Sequence, residues 1–160
     1  MLNNADQVEQ FLQTNGKGAK AQVGYDLTLK SVKSINGGKV LCERTEVNDY
    51  YGIQTVEDEY GRDVFGLTPG VYSLTFEQGI KLPSNKTAFI RHRSSVLRCG
   101  AMITSGVYDP GFEVDEMGAV MFVAENIEIE KGARVAQVII FDNSEAQLYD
   151  GQWQGTKDKK

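Results

Sequence analysis

Short apolar runs with a period of two restrict this chain more than any other feature. "GYDLTL", "GVYSLTF", "TAFIRH" and "GAVMFVAE" alternate apolar and polar side chains, and "NGG", "TPG", "DPG" and "KGA" punctuate the sequence around them. A two-residue period sends one face of each run to a core and the other outward. The glycine and proline clusters reverse the chain between runs. With 17 glycines against 3 prolines, many tight turns are available. The pattern predicts a mainly β fold, a compact antiparallel sandwich or barrel.

One stretch departs from that period. Asn4 and Gln7 have the spacing of a reciprocal cap, and Val8, Phe11 and Leu12 share a helical face before "NGKG", which predicts a short N-terminal helix over about 4–14. The segment 46–63, rich in acids and tyrosines, has no clean period and reads as a long connection or irregular hairpin. From about 151 to 160 the chain is polar and ends in lysines, so a flexible tail is expected there. The 160 residues suit one domain spanning 1–160.

Composition removes several function classes. A net charge of -5 disfavours binding to nucleic acid, which needs an excess of Lys and Arg. Two cysteines outside any CxxC arrangement and a single histidine supply no zinc ligand set. Both cysteines read as reduced thiols, consistent with a cytoplasmic protein. No window is apolar enough to span a membrane, and the N-terminus lacks the pattern of a signal peptide.

Against this acidic background, "RHRSSVLR" gathers three arginines and the only histidine. A guanidinium presents a planar fork that matches phosphate oxygens bidentately, and serine hydroxyls add neutral donors beside it. Arg93, Ser94, Ser95 and Arg98 can therefore cradle an oligophosphate, although the segment alone also reads as a solvated strand end and turn. Further on, "SGVYDPGF" sets Asp109 just before a Pro-Gly reversal, which fixes the carboxylate in place or simply opens a turn.

Five motifs in order, "GYDLTL", "RSSVLRCG", "SGVYDPGF", "GARVAQVII" and "YDGQWQGT", resemble those of the superfamily of dUTP pyrophosphatases and dCTP deaminases, from Val23 to Thr156. The resemblance implies a distorted, jelly-roll-like β-barrel, a homotrimer with sites at subunit interfaces, and a Mg2+ ion on a deoxynucleoside triphosphate. It implies that Asp109 positions and activates water and that Arg93 and Ser94 hold phosphate, with Ser95 beside them. Arg98 is left between structural, phosphate and deaminase roles. In the aspartate motif Gly106 and Val107 line the nucleotide, and Phe112 packs on the deoxyribose, leaving no room for a 2′-hydroxyl. Gln137 belongs to the phosphate region, and Asp26 reaches the metal through water. Trp153 and Gln154 lie in a tail that folds over the nucleotide.

The two branches of the superfamily need different catalysts. Diphosphate release needs water aimed at the α-phosphorus, whereas deamination needs a carboxylate to shuttle protons at the C4 amino group. Deaminases carry a glutamate about ten residues beyond the aspartate, where this chain reads "GAVMF"; Glu113 and Glu116 come earlier and Glu125 later. "GAVMF" and "GARVAQVII" resemble the pyrophosphatase versions more closely, so the resemblance favours hydrolysis of dUTP to dUMP and diphosphate. A dCTP deaminase, mono- or bifunctional, and a nucleotide-sensing member without chemistry are the alternatives.

Overall fold

A computed structural model of the chain describes residues 1–144, 146–151 and 153–155. Among these, helix α1 (Ala5–Glu9) precedes strands β1 (Tyr25–Ser34), β2 (Gly70–Phe76) and β3 (Lys86–His92). Helix α2 (Ser94–Arg98) then leads to β4 (Ala101–Thr104), β5 (Gly118–Val123) and β6 (Arg134–Asp142). The six strands are hydrogen-bonded in the order β6–β3–β4–β5–β2–β1, and β1 pairs again with β6, so the sheet closes into an antiparallel barrel. Closure removes the free edges that an open sheet of these strands would leave. The mainly β barrel read from the sequence is therefore present.

The period-two reading holds strand by strand. Tyr25, Leu27 and Leu29 of β1 point into the core, as do Tyr72, Leu74 and Phe76 of β2, Ala88 and Ile90 of β3, and Val138 and Ile140 of β6. Fully burying a large apolar side chain contributes about 1.5–3 kcal/mol. Residues between them face outward, yet on β1 these too are covered. Thr28 receives a bond from the Gln78 amide at 2.8 Å and donates its backbone N–H to Gln78 Oε1 at 3.0 Å. Asp26 is covered by side chains from outside the strand, and the functional site begins there.

The N-terminal helix is shorter than the sequence pattern implies. Its capping box forms as read: Gln7 N–H donates to Asn4 Oδ1 at 3.0 Å, and Asn4 N–H to Gln7 Oε1 at 2.9 Å. After Glu9, however, Leu12–Gln13 becomes a strand paired with Gly79–Lys81, so its backbone groups go to a ladder instead of a third helical turn. The segment 46–63 divides among short pairings: Thr45–Val47 with Gly38–Val40, Tyr51–Gly52 with the end of β1, and Val56–Glu57 with Asp63–Leu67. Of the tail expected at 151–160, residues 152 and 156–160 lie outside the described residues. No helix is long and apolar enough to cross a membrane, among the described residues.

Candidate active site

Strand register brings three motifs together. Asp26 of β1 lies opposite Gln137 of β6, and Gln137 lies opposite Arg91 of β3, so the three share one outward row of the barrel. Gly24 permits the close approach at the start of this row: a Cβ there would stand 2.5 Å from the Val138 carbonyl oxygen and 2.7 Å from Gln137 Cγ. Any larger residue would push β1 away from β6.

Asp26 is the electrostatic centre. Its side chain is 5% exposed; it forms an ion pair with Arg93 Nε at 3.2 Å and accepts from Arg134 Nη1 at 3.4 Å and Gln137 Nε2 at 3.3 Å. Arg93 also donates from Nη1 to the Arg134 carbonyl at 3.2 Å. Around this cluster lies an open pocket of about 420 Å³, lined also by Lys20, Arg91, His92 and Ser94. His92 Nδ1 stands 3.3 Å from the Ile103 carbonyl oxygen, which orients the ring. Lys20 Nζ is held at 2.9 Å from Asp6 and 2.8 Å from Glu9 of α1, and these two acids raise its pKa.

The pocket is built for an anion, with several guanidiniums against one carboxylate among its lining residues. Its fit to magnesium follows from the same donor set. No group of three His, Cys, Asp or Glu that could hold a metal occurs among the described residues, and Asp26 is already engaged by three donors. With Asp26 as the one carboxylate in its lining, the pocket has too few oxygen ligands to enclose a magnesium ion by itself.

Asp109 lies elsewhere. It opens a turn in which Phe112 N–H donates to the Asp109 carbonyl at 3.1 Å, with Pro110 second and Gly111 third at φ +81, the residue types of a type II turn. Tyr108 fixes the turn from both sides. Its backbone exchanges bonds with Ala88 of β3 at 2.9 and 3.0 Å, and its hydroxyl donates to the Gly118 carbonyl at 2.6 Å and accepts the Gly118 N–H at 3.0 Å. Burial pushes the Tyr108 phenol up to about 12. The Asp109 carboxylate is exposed and, among the described residues, has no hydrogen-bond partner. Ala88 lies three residues before Arg91 on β3 and five before Arg93, which follows that strand, so along the backbone the Asp109 turn stands roughly 10 Å from the near edge of the arginine pocket and roughly 16 Å from Arg93.

Asp26, Arg93, Ser94 and Gln137 thus meet in one pocket, while Gly106, Val107, Asp109 and Phe112 lie on the distant hairpin. Ser95 and Arg98 are exposed on α2, outside the pocket lining. Phe112 is buried, stacked on Tyr108 with ring centroids 5.0 Å apart and met edge-on by Tyr149 at 5.3 Å. The described part of the tail lies on the same hairpin. Gln154 donates to the Gly111 carbonyl at 2.8 Å and accepts the Glu113 N–H at 3.0 Å, and Trp153 is 40% exposed beside it. Arg91 and Arg134 also line the pocket; the sequence signal for them was the charge within "RHR" and "GARVAQ".

No carboxylate occurs on β5. Glu113 pairs with Lys81 at 3.4 Å and Glu116 with Lys30. Glu125 follows the end of β5 and packs beside Gly100, whereas the Asp109 hairpin is tied to Gly118 at the strand's start. Within one chain Glu125 and that hairpin are roughly 20 Å apart.

The sequence pattern of the dCTP deaminase-like family matches residues 3–143. The chain belongs to that family. A probable deoxyuridine 5′-triphosphate nucleotidohydrolase of Methanosarcina acetivorans is 30% identical over 165 residues, covering 99% of this chain and 90% of the relative. Among solved structures, the 2′-deoxycytidine 5′-triphosphate deaminase of Agrobacterium tumefaciens superposes with a TM-score of 0.63 at 12% identity, over 87% of this chain. This chain spans about half of that one, 47%. The EIAV dUTPase gives a TM-score of 0.53 at 16% identity and covers 95% of this chain and 98% of its own. At such identities the two structures establish the shared barrel fold.

Proposed function

We propose that the protein is a dUTP diphosphatase, hydrolysing dUTP to dUMP and diphosphate. One observation carries this choice within the family: β5, Gly118–Val123, has no carboxylate to work at a C4 amino group. The relative from Methanosarcina acetivorans, named for dUTP hydrolysis, supports the same reading.

In this mechanism Arg93, Ser94 and Gln137 hold phosphate oxygens, and their fixed donors meet charge that builds as the α-phosphorus is attacked. Asp109 accepts a proton from the attacking water, with Gly106 and Val107 beside the nucleoside. Asp26 would hold, through water, a magnesium ion arriving on the triphosphate, and that ion would supply charge screening of the phosphate oxygens and polarisation of the phosphoryl group. Phe112 is assigned to the face of the deoxyribose. Tyr149 covers that ring in the free chain, so sugar contact requires the segment around it to lift, and Trp153 and Gln154 move with it.

The separation of Asp109 from Arg93 makes the site incomplete in one chain, and the homotrimer implied by the motifs supplies the missing half from a second copy. Exposed Leu97, Met102 and Phe122 form an apolar face beside α2 suited to such a contact.

The test is incubation of the purified protein with magnesium and dUTP or dCTP, resolving nucleotide, diphosphate and ammonia. dUMP and diphosphate from dUTP, abolished in Asp109→Asn, are the expected products. Ammonia from dCTP would replace this reading with deamination, and binding without turnover would leave a nucleotide sensor.

A further inference from the structure

We propose that Arg91 is an oligophosphate-gripping residue that lets the pocket distinguish a triphosphate from a monophosphate; this rests on the reading of the pocket as a triphosphate site. The cations around the pocket differ in what they are already doing. Arg93 and Arg134 are both ion-paired with Asp26, and Arg93 donates to the Arg134 carbonyl. Lys20 is held by Asp6 and Glu9. Arg91 lines the same pocket, is exposed, and has no acceptor among the described residues. An entering anion therefore meets a whole guanidinium fork at Arg91 without breaking an existing bond, whereas at Arg93 and Arg134 part of the fork is committed.

Position adds a length criterion. Asp26, Gln137 and Arg91 occupy adjacent strands in one row, which spans two strand spacings, roughly 10 Å. The guanidiniums of Arg93 and Arg134 reach Asp26 at one end, whereas Arg91 is rooted on the strand at the other end of the row. A single phosphate is satisfied at the Arg93 end, while a chain of three extends along the row past Gln137 to Arg91. Charge agrees with this: three arginines against one carboxylate leave the lining with two positive charges once Lys20 is set aside with its acids, the magnitude carried by a magnesium-bound nucleoside triphosphate.

The experiment is calorimetric titration of wild type, Arg91→Ala and Arg91→Lys with magnesium and inorganic triphosphate, and separately with dUMP. Losing a charge-assisted bidentate contact should weaken triphosphate binding by about 10- to 100-fold in Arg91→Ala. Arg91→Lys should fall between, because a point charge cannot reproduce the fork. Binding of dUMP and the thermal midpoint should be unchanged. If wild type binds triphosphate and Arg91→Ala binds it equally well, the assignment of Arg91 fails while the pocket reading stands. An equal loss for dUMP and triphosphate also overturns the role in counting phosphates. If wild type binds neither probe, the triphosphate reading of the pocket falls as well.

Discussion

Replacing Asp26 with Asn separates the two tasks assigned to this carboxylate, because stability and anion binding should move in opposite directions. The side chain is buried, ion-paired with Arg93 Nε at 3.2 Å, and accepts from Arg134 Nη1 at 3.4 Å and Gln137 Nε2 at 3.3 Å. An amide can keep its oxygen on one arginine, but its NH2 then faces the other donors. A hydrogen bond to a charged group contributes about 1.5–3 kcal/mol. Arg93 and Arg134 are 35% and 46% exposed, so water takes over part of their solvation and the loss lies at the low end, about 2 kcal/mol. For a chain of this size that lowers the thermal midpoint by about 4–8 °C. The pocket meanwhile gains a unit of positive charge, worth about 1 kcal/mol at contact distance in water. Inorganic triphosphate in chelator should therefore bind about fivefold more tightly, while magnesium-dependent hydrolysis falls. Thermal unfolding and titration calorimetry on the same preparation read both effects. A midpoint within 1 °C or so of wild type, or weaker metal-free triphosphate binding, would refute the coupling of Asp26 to the two arginines.

If a second copy completes the site, mixing inactive Asp109→Asn with inactive Arg93→Ala and allowing subunits to exchange should restore part of the dUTP hydrolysis; no recovery in a demonstrated mixed oligomer argues for a site within one chain. Tyr108 makes stability fall in alkali. Its folded pKa, up to about 12, lies above the unfolded value near 10, so its contribution is complete below about pH 10 and is lost as pH rises toward 12. Tyr108→Phe should flatten that decline in denaturant titrations, leaving the smaller slope of Tyr25, whose phenol is also raised by burial.

What the sequence disclosed follows from how local each signal is. The alternation in "GYDLTL" and "GVYSLTF" states which side chains are buried because a strand's period is carried by consecutive residues. The cap at Asn4 and Gln7 was legible for the same reason. The end of α1 was not, since Phe11 and Leu12 look alike as a third helical turn or as the start of a strand, and only pairing with Gly79–Lys81 decides. The Asp26–Gln137 pair joins residues 111 positions apart; the motifs named its members, but only the register shows them touching. Arg134 escaped notice because its role depends on Asp26, not on its neighbours in "GARVAQ". The polar composition near the C-terminus does not disclose that Tyr149 N–H, just before the expected tail, donates to the Pro110 carbonyl at 2.8 Å and Gly155 N–H to that of Glu113 at 2.8 Å. Those acceptors belong to a turn some forty residues earlier.

The pairing of β1 with β6 also sets a clock on the protein's birth. Leu27 and Asp26 wait for Ala136 and Gln137, the partners that close the barrel, and at about 5–20 residues per second of synthesis the delay is on the order of 5–20 s. Throughout that interval one rim of β1 stands unpaired, open to strands of other nascent chains. Helix α1 and the early hairpins can form as they emerge, but the anion pocket cannot, because its two walls are made at opposite ends of translation. A ribosome-stalled fragment ending before Arg134 therefore carries the arginines of "RHRSSVLR" with no cavity to hold them.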